Sequence, residues 1–249
     1  MTDKQFIKKA YEVLPYNTVY MWGTFGNLVT REKITQKAKQ YPAQYTAAYQ
    51  QKLFSHVGKN VFAFDCVGLI KGILWGWNGS QTANGGTVYQ SNGVPDTNTN
   101  GMESRAIGLT TDFSGIVPGE AVWMPGHIGI YVGDGKVIES TTAWDGCVQE
   151  TSCWNVKKNN SLHGRSWVKH GRLPWVEYGE TEQSPVGIAV GAKVKVKPGA
   201  KTYDGKGLAT FVYSGVYFVR EVKGDRAVIA PAMSGAVTAA VRVGDLVGG

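Results

Sequence analysis

Cysteine, histidine and acidic residues are all in short supply in this chain. Three cysteines, Cys66, Cys147 and Cys153, are too few for a disulfide framework, and an odd number leaves one thiol free in any pairing. Cys147 and Cys153 either pair or stand as ordinary reduced thiols; reduced thiols are expected. With four histidines and no Cys or His pair at ligand spacing, a zinc site is unsupported, and neither a metal nor a cofactor is expected. No run reaches the roughly 18 apolar residues of a membrane span. Met1-Thr2-Asp3-Lys4-Gln5 has no apolar h-region, so no secretory signal peptide is expected either. The deficit of acids leaves a formal charge of +7, which points to a polyanionic partner: nucleic acid, anionic lipid or a teichoic-acid-bearing wall. The lysines are scattered rather than gathered in an arm, which argues against nucleic acid.

What is present begins with Phe64-Asp65-Cys66-Val67-Gly68-Leu69-Ile70. Here a cysteine follows an acidic, helix-capping residue and precedes an apolar run (Leu69, Ile70, Ile73, Leu74) at helical spacing, so Cys66 is expected in the first turn of a buried helix. Unpaired N–H groups and the positive end of the helix dipole favour a thiolate there, below the free pKa of about 8.5. A lone cysteine in an apolar helix is by default a small core residue; its company lifts Cys66 above that default.

That company is Gly126-His127-Ile128-Gly129-Ile130-Tyr131-Val132, an alternating strand, then the turn Gly133-Asp134-Gly135, then a returning strand Lys136-Val137-Ile138-Glu139-Ser140. If Val132 pairs with Lys136 across a three-residue loop, Gly129 faces Glu139. His127 and Glu139 then share a face as diagonal neighbours, roughly 7–8 Å apart at the backbone. A plain two-residue loop puts them on opposite faces. Read the first way, Cys66 is the nucleophile, His127 the general base, and Glu139 the group that orients the imidazole.

Taken together, Tyr20-Met21-Trp22-Gly23, Phe64-Asp65-Cys66-Val67-Gly68-Leu69, Pro118-Gly119-Glu120, Gly126-His127-Ile128-Gly129-Ile130-Tyr131 and Glu139 resemble, in order, the motifs of the NlpC family of papain-like cell-wall peptidases. The resemblance covers roughly the first 145 residues, with long insertions. It implies a Cys-bearing helix packed on an antiparallel sheet, a Tyr20 hydroxyl in the cleft near the nucleophile, and Asp65 and Trp22 at the substrate. Val67 stands where the family has a serine that helps hold the stem peptide, and Glu139 stands where histidine is commonest. Glutamate is frequent there in the related CHAP group.

Around these motifs, a helix capped by Asp3 is expected to end at Pro15, and residues 31–53 read as a helical insertion divided by Pro42. Tyr41, Tyr45 and Tyr49 in it are core by default, or a wall beside the cleft. Residues 78–101 are a polar Gly/Asn/Thr/Ser loop expected to border the cleft. Met102 to Leu109 reads as a short helix, Glu120 as a structural residue, and Trp167 to Leu173 as the strand closing the sheet. His163 and His170 read as surface histidines.

Glu177 to Pro185 has the composition of a linker. Beyond it, short alternating strands between Pro-Gly, Asp-Gly and Ser-Gly turns suggest a small closed barrel, in which Lys and Arg outnumber Asp and Glu. The segments 200–205 and 241–246 resemble a bacterial SH3-like wall-binding domain. The chain is therefore read as α+β: a papain-like NlpC-type peptidase domain over 1–178 and a small all-β SH3-like barrel over 184–249.

The resemblance implies a peptidoglycan hydrolase that cuts the D-glutamyl–diaminopimelyl bond through a Cys66 thioester. Its expected partners are peptidoglycan and the associated anionic wall polymers, and a monomer is expected. Made in the cytoplasm without a signal peptide, such an enzyme is expected to reach the wall through holin-type release, as a phage or prophage endolysin. The valine at position 67 makes N-acetylmuramoyl-L-alanine amidase cleavage the nearest competitor. A non-catalytic wall-binding protein and an acyl-transferring enzyme of the same fold are the remaining alternatives.

Overall fold

Thr2, not Asp3, starts the first helix. Its hydroxyl accepts from the Gln5 N–H at 3.2 Å while Gln5 Oε1 accepts from the Thr2 N–H at 3.0 Å, a reciprocal cap that satisfies two otherwise orphaned donors. Helix α1 (Asp3–Val13) buries Phe6, Ala10 and Val13 along one face and stops ahead of Pro15, which cannot continue it. The computed structural model describes residues 1–179, 188–223 and 225–248. The chain divides into two units, Met1–Gly179 and Glu180–Gly249. Among the described residues no helix is long and apolar enough to cross a membrane.

In the first unit α1 is followed by β1 (Thr18–Tyr20), β2 (Phe25–Leu28), α2 (Arg31–Gln40), α3 (Ala47–Phe54), β3 (Phe62–Phe64), α4 (Cys66–Leu74), α5 (Thr99–Glu103), β4 (Ile107–Thr110), β5 (Ala121–Met124), β6 (His127–Gly133), β7 (Lys136–Ser140), β8 (Val148–Cys153), β9 (Gly164–Arg165) and β10 (Lys169–Arg172). Thr30 and Thr46 cap α2 and α3, so the insertion is two helices broken around Pro42. A three-stranded sheet runs β1-β3-β2, and a seven-stranded one runs β4-β10-β5-β6-β7-β8-β9. Every residue of α4 is buried, and it packs on β2, β6 and β7. That approach explains Gly68: a Cβ there would sit 1.8 Å from the Thr24 carbonyl oxygen.

Three expectations are corrected here. The helix expected over 102–109 is instead α5, capped by the Asn98 side chain on the Gly101 N–H at 2.9 Å, followed by the edge strand β4, whose Ile107 and Leu109 face solvent. Strand β10 does not close the sheet but lies between β5 and β4, which covers His170 from both sides. The linker expected from Glu177 does not begin there. Glu177 bridges to Thr2 and Tyr178 donates to the Gly119 carbonyl at 2.9 Å, so both belong to the first unit, while 180–185 lie outside the described residues.

Buried His170 is thus no surface histidine. Its Nδ1 meets Glu120 Oε2 at 2.5 Å and its Nε2 donates to the Asp112 carbonyl at 2.8 Å, so both ring nitrogens face acceptors. Burial pulls its pKa down, but the bonds to Glu120 and Asp112 and the Glu120 charge outweigh it, and the net direction is up. A folded pKa above the unfolded value of about 6.5 gives stability that is fully present below that pH and lost as pH rises through the folded value. His170→Gln is therefore expected to lower the stability of this unit by about 2–4 kcal/mol at pH 5.5, and by less at pH 9. All eight tryptophans lie in this unit, so urea unfolding followed by tryptophan fluorescence reads it alone. An equal loss at both pH values would refute the charged pair.

The second unit contains β11 (Lys193–Val196), β12 (Tyr217–Lys223), β13 (Arg226–Ala230), β14 (Ala239–Arg242) and β15 (Leu246–Gly248) in one antiparallel sheet, ordered β14-β13-β12-β11-β15. Val194, Val196, Val219, Ile229, Val241 and Leu246 form its core, with Lys193 and Lys195 alternating outward. A closed barrel was expected, yet among the described residues nothing pairs β14 with β15. The free edge of β14 is taken instead by the Thr202 segment, which bridges Val241 and places the Tyr203 N–H 2.7 Å from the Ala240 carbonyl.

Candidate active site

The site is assembled where β3 runs into α4. Asp65 adopts extended backbone and caps the helix, Oδ1 accepting from the Gly68 N–H at 2.5 Å. Its Oδ2 accepts from the Gly23 N–H at 2.7 Å, which clamps the Tyr20–Gly23 segment onto the start of α4. Both carboxylate oxygens are thereby used within the fold. Tyr45 and Tyr49 brace the same segment from the insertion, their hydroxyls donating to the Trp22 and Tyr20 carbonyls at 2.6 and 2.8 Å. Of the three insertion tyrosines only Tyr41 lines the cleft.

Cys66 is the first residue of α4 and is 5% exposed. Its Sγ lies 4.0 Å from Thr99 Oγ1 and beside the Val67 and Ile128 N–H groups. The helix-terminal position led to the expectation of a lowered pKa, and the structure reverses it. Burial, then the Asp65 charge, pushes the thiol up to about 11, against the opposing pull of Thr99 and the two N–H groups. Desolvation outweighs the helix terminus because the sulfur is nearly sealed from water. The resting group is a thiol. Tyr20 is also buried and hydrogen-bonds toward the sulfur; burial, then the Cys66 and Asp65 charges, push its phenol up, so it stays a neutral donor.

The histidine expected to act with Cys66 lies on β6. His127 Nε2 lies 2.5 Å from Glu139 Oε2 on β7. The register that makes this possible is the expected one, with Ile130 opposite Ile138, but the turn differs. Gly133 pairs with Lys136 across a two-residue loop, and a bulge at Val132 restores the parity that such a loop would otherwise break. Glu139 is fully buried and accepts from Thr151 Oγ1 at 2.7 Å, while Arg165 Nη2 lies 3.3 Å from Oε2. A carboxylate bonded to a hydroxyl and a guanidinium is an acceptor toward His127 as well. Nε2 therefore carries the proton and Nδ1 presents its lone pair. Trp167 stacks on the imidazole, centroids 5.5 Å apart at 15°. Ser140 Oγ donates to the Phe64 carbonyl at 2.8 Å, which ties the Glu139 strand to the residues just before Cys66.

No protein-family model and no curated protein matches this chain.

The cleft beside Cys66 has a volume of about 690 Å³. Tyr20, Trp22 and Tyr41 line one part of it, and Tyr89 with Asp96 to Thr99, from the polar loop, another. The loop thus borders the cleft as expected. Thr151, Arg165, Trp167 and Thr99 escaped the sequence reading. Arg165 ends the two-residue strand β9 and Trp167 stands just before β10, neither in a motif, and a threonine one strand away from a glutamate leaves no signal in sequence. His163 is exposed and stacks on Trp144, whose other contact is the Arg165 guanidinium, 4.5 Å from the ring centre.

Proposed function

We propose that the chain is a cysteine-type peptidoglycan hydrolase that cleaves an amide bond of the wall stem peptide. The observation that carries the reading is an imidazole whose Nε2 is held by a buried carboxylate, on the strand whose next N–H abuts a helix-terminal thiol in an open cleft. Cys66 Sγ attacks the carbonyl carbon as its proton passes to His127 Nδ1, forming the S–C bond. The resulting oxyanion is held by the Cys66 N–H and the Tyr20 hydroxyl. The imidazolium, steadied by Glu139, then gives its proton to the leaving amine as the C–N bond breaks. Water, deprotonated by His127, attacks the thioester carbonyl; the C–S bond breaks, and the thiol recovers the proton.

By resemblance the bond is D-glutamyl–diaminopimelyl, in a phage or prophage endolysin that acts after holin-type release. Val67 in place of the family serine favours the N-acetylmuramoyl-L-alanine amidase as runner-up. Mass spectrometry of fragments released from purified walls separates the two, because new amino termini name the bond cut. Absence of any new terminus that depends on Cys66 would sink the hydrolase reading and leave a wall-binding protein.

The second unit, with its own core and outward lysines, is proposed as an SH3-like module that concentrates the enzyme on anionic wall. Deleting 184–249 is expected to leave turnover of a soluble stem peptide within about twofold and to weaken sedimentation with walls by about tenfold or more. Equal sedimentation of the truncated and intact proteins would remove the binding role.

A further inference from the structure

The charged groups of the cleft are paired off with one exception. Asp65 is bonded to two backbone N–H groups. Asp96 is bonded to Lys71 Nζ and accepts from the Tyr89 hydroxyl at 2.7 Å. Lys37, on α2, is the remaining charged residue lining the cleft, and among the described residues no carboxylate lies within ion-pair distance of it. Its Nζ donates to Gln40 Oε1 at 3.0 Å and sits 5.5 Å from the centre of the Tyr41 ring. That leaves ammonium protons free, and it leaves the Gln40 NH₂ group, one turn on, available as a second donor. Tyr41 packs so closely on the Tyr20–Gly23 segment that a Cβ on Gly23 would come within 2.5 Å of its ring, so this end of α2 is fixed against the nucleophile's side of the cleft. Burial, then Lys33 as a like charge, lowers the Lys37 pKa, so an incoming anion would relieve an ammonium that water and neighbours now serve poorly.

We infer that Lys37 is the anchor of a carboxylate subsite, and that substrates seating a free carboxylate against α2 are preferred over their carboxamides. This deepens the hydrolase reading and rests on it. A single ammonium with one amide beside it suits a monoanion. The nearby Asp65 and Asp96 charges oppose a more highly charged group such as a phosphate monoester, and Lys71 is already committed to Asp96.

The test uses the full-length protein and a wall stem peptide whose free carboxylates are converted one at a time to carboxamides. Turnover is measured with wild type, Lys37→Gln and Lys37→Arg, and binding by calorimetry in a Cys66→Ala background. One of the conversions is expected to raise KM and Kd about tenfold with kcat little changed. That ratio is expected to fall to near one in Lys37→Gln and to persist in Lys37→Arg. Because the Lys37 ammonium is half-exposed, with its hydrogen bond to Gln40 on its own helix and the adjoining Tyr41 ring beside it, unfolding of both variants should match wild type by tryptophan fluorescence. A ratio unchanged in Lys37→Gln, or a wild type indifferent to every conversion, would overturn the subsite. If a Lys37-dependent preference appears in binding while no peptide is cleaved, the subsite stands and the hydrolase reading falls.

Discussion

Cys66→Ser is expected to lower kcat/KM on a soluble stem peptide by at least about a thousandfold while leaving wall sedimentation and the unfolding transition near wild type. The loss does not depend on a preformed thiolate, because burial holds the thiol up to about 11. It rests on how much less readily a hydroxyl than a thiol gives up its proton to the same imidazole, and on the weaker nucleophile that results. The hydroxyl can still bond to Thr99 and the Val67 N–H, so the buried position stays satisfied and the fold is not the cause of the loss. Cys66→Ala serves as the control that removes the nucleophile with no new polar group. A serine enzyme retaining more than a few per cent of wild-type turnover would exclude Cys66 as the attacking atom.

Glu139→Gln is expected to lower kcat by about a hundredfold and to move the acid limb of its pH profile to lower pH. The amide can keep its oxygen toward His127 and Arg165 if its nitrogen faces Thr151, whose hydroxyl can turn to accept, so the geometry survives. The charge does not. Without the carboxylate, the imidazolium formed during attack loses its counterion and faces the Arg165 guanidinium unscreened, which makes the base harder to protonate. His163→Ala should leave both limbs where they are, since His163 is exposed and its ring stacks on Trp144, while the ring on His127 is Trp167. His170→Ala should change stability without moving either limb, because its partners are Glu120 and Asp112. A Glu139→Gln enzyme with wild-type kcat and pH profile would show that the carboxylate has no part in catalysis.

Features legible in the sequence share a local origin. Asp65 before the apolar run marks the start of α4, the alternation around His127 and Glu139 marks a hairpin, and the change of texture after residue 185 marks a second unit; each is written within about ten residues by capping, periodicity or turn chemistry. Where local rules compete, the reading failed. The Gly133-Asp134-Gly135 turn admitted two loop lengths, and only the pairing of the finished hairpin selected the short loop with a bulge at Val132.

The sequence by itself determined the cysteine at a helix start and the hairpin that carries His127 and Glu139, because each depends on spacing along one short segment. Tertiary structure alone decided that Thr151 and Arg165 reach Glu139, that Trp167 stacks on His127, that His170 is enclosed between β5 and β4, and that Lys37 lines the cleft with no acid partner among the described residues. It also decided the protonation of Cys66. The pull of a helix terminus can be read from a capping residue, but the opposing cost of desolvation is summed over every strand and helix that closes around the sulfur, and none of those neighbours is specified by the residues beside it in the chain.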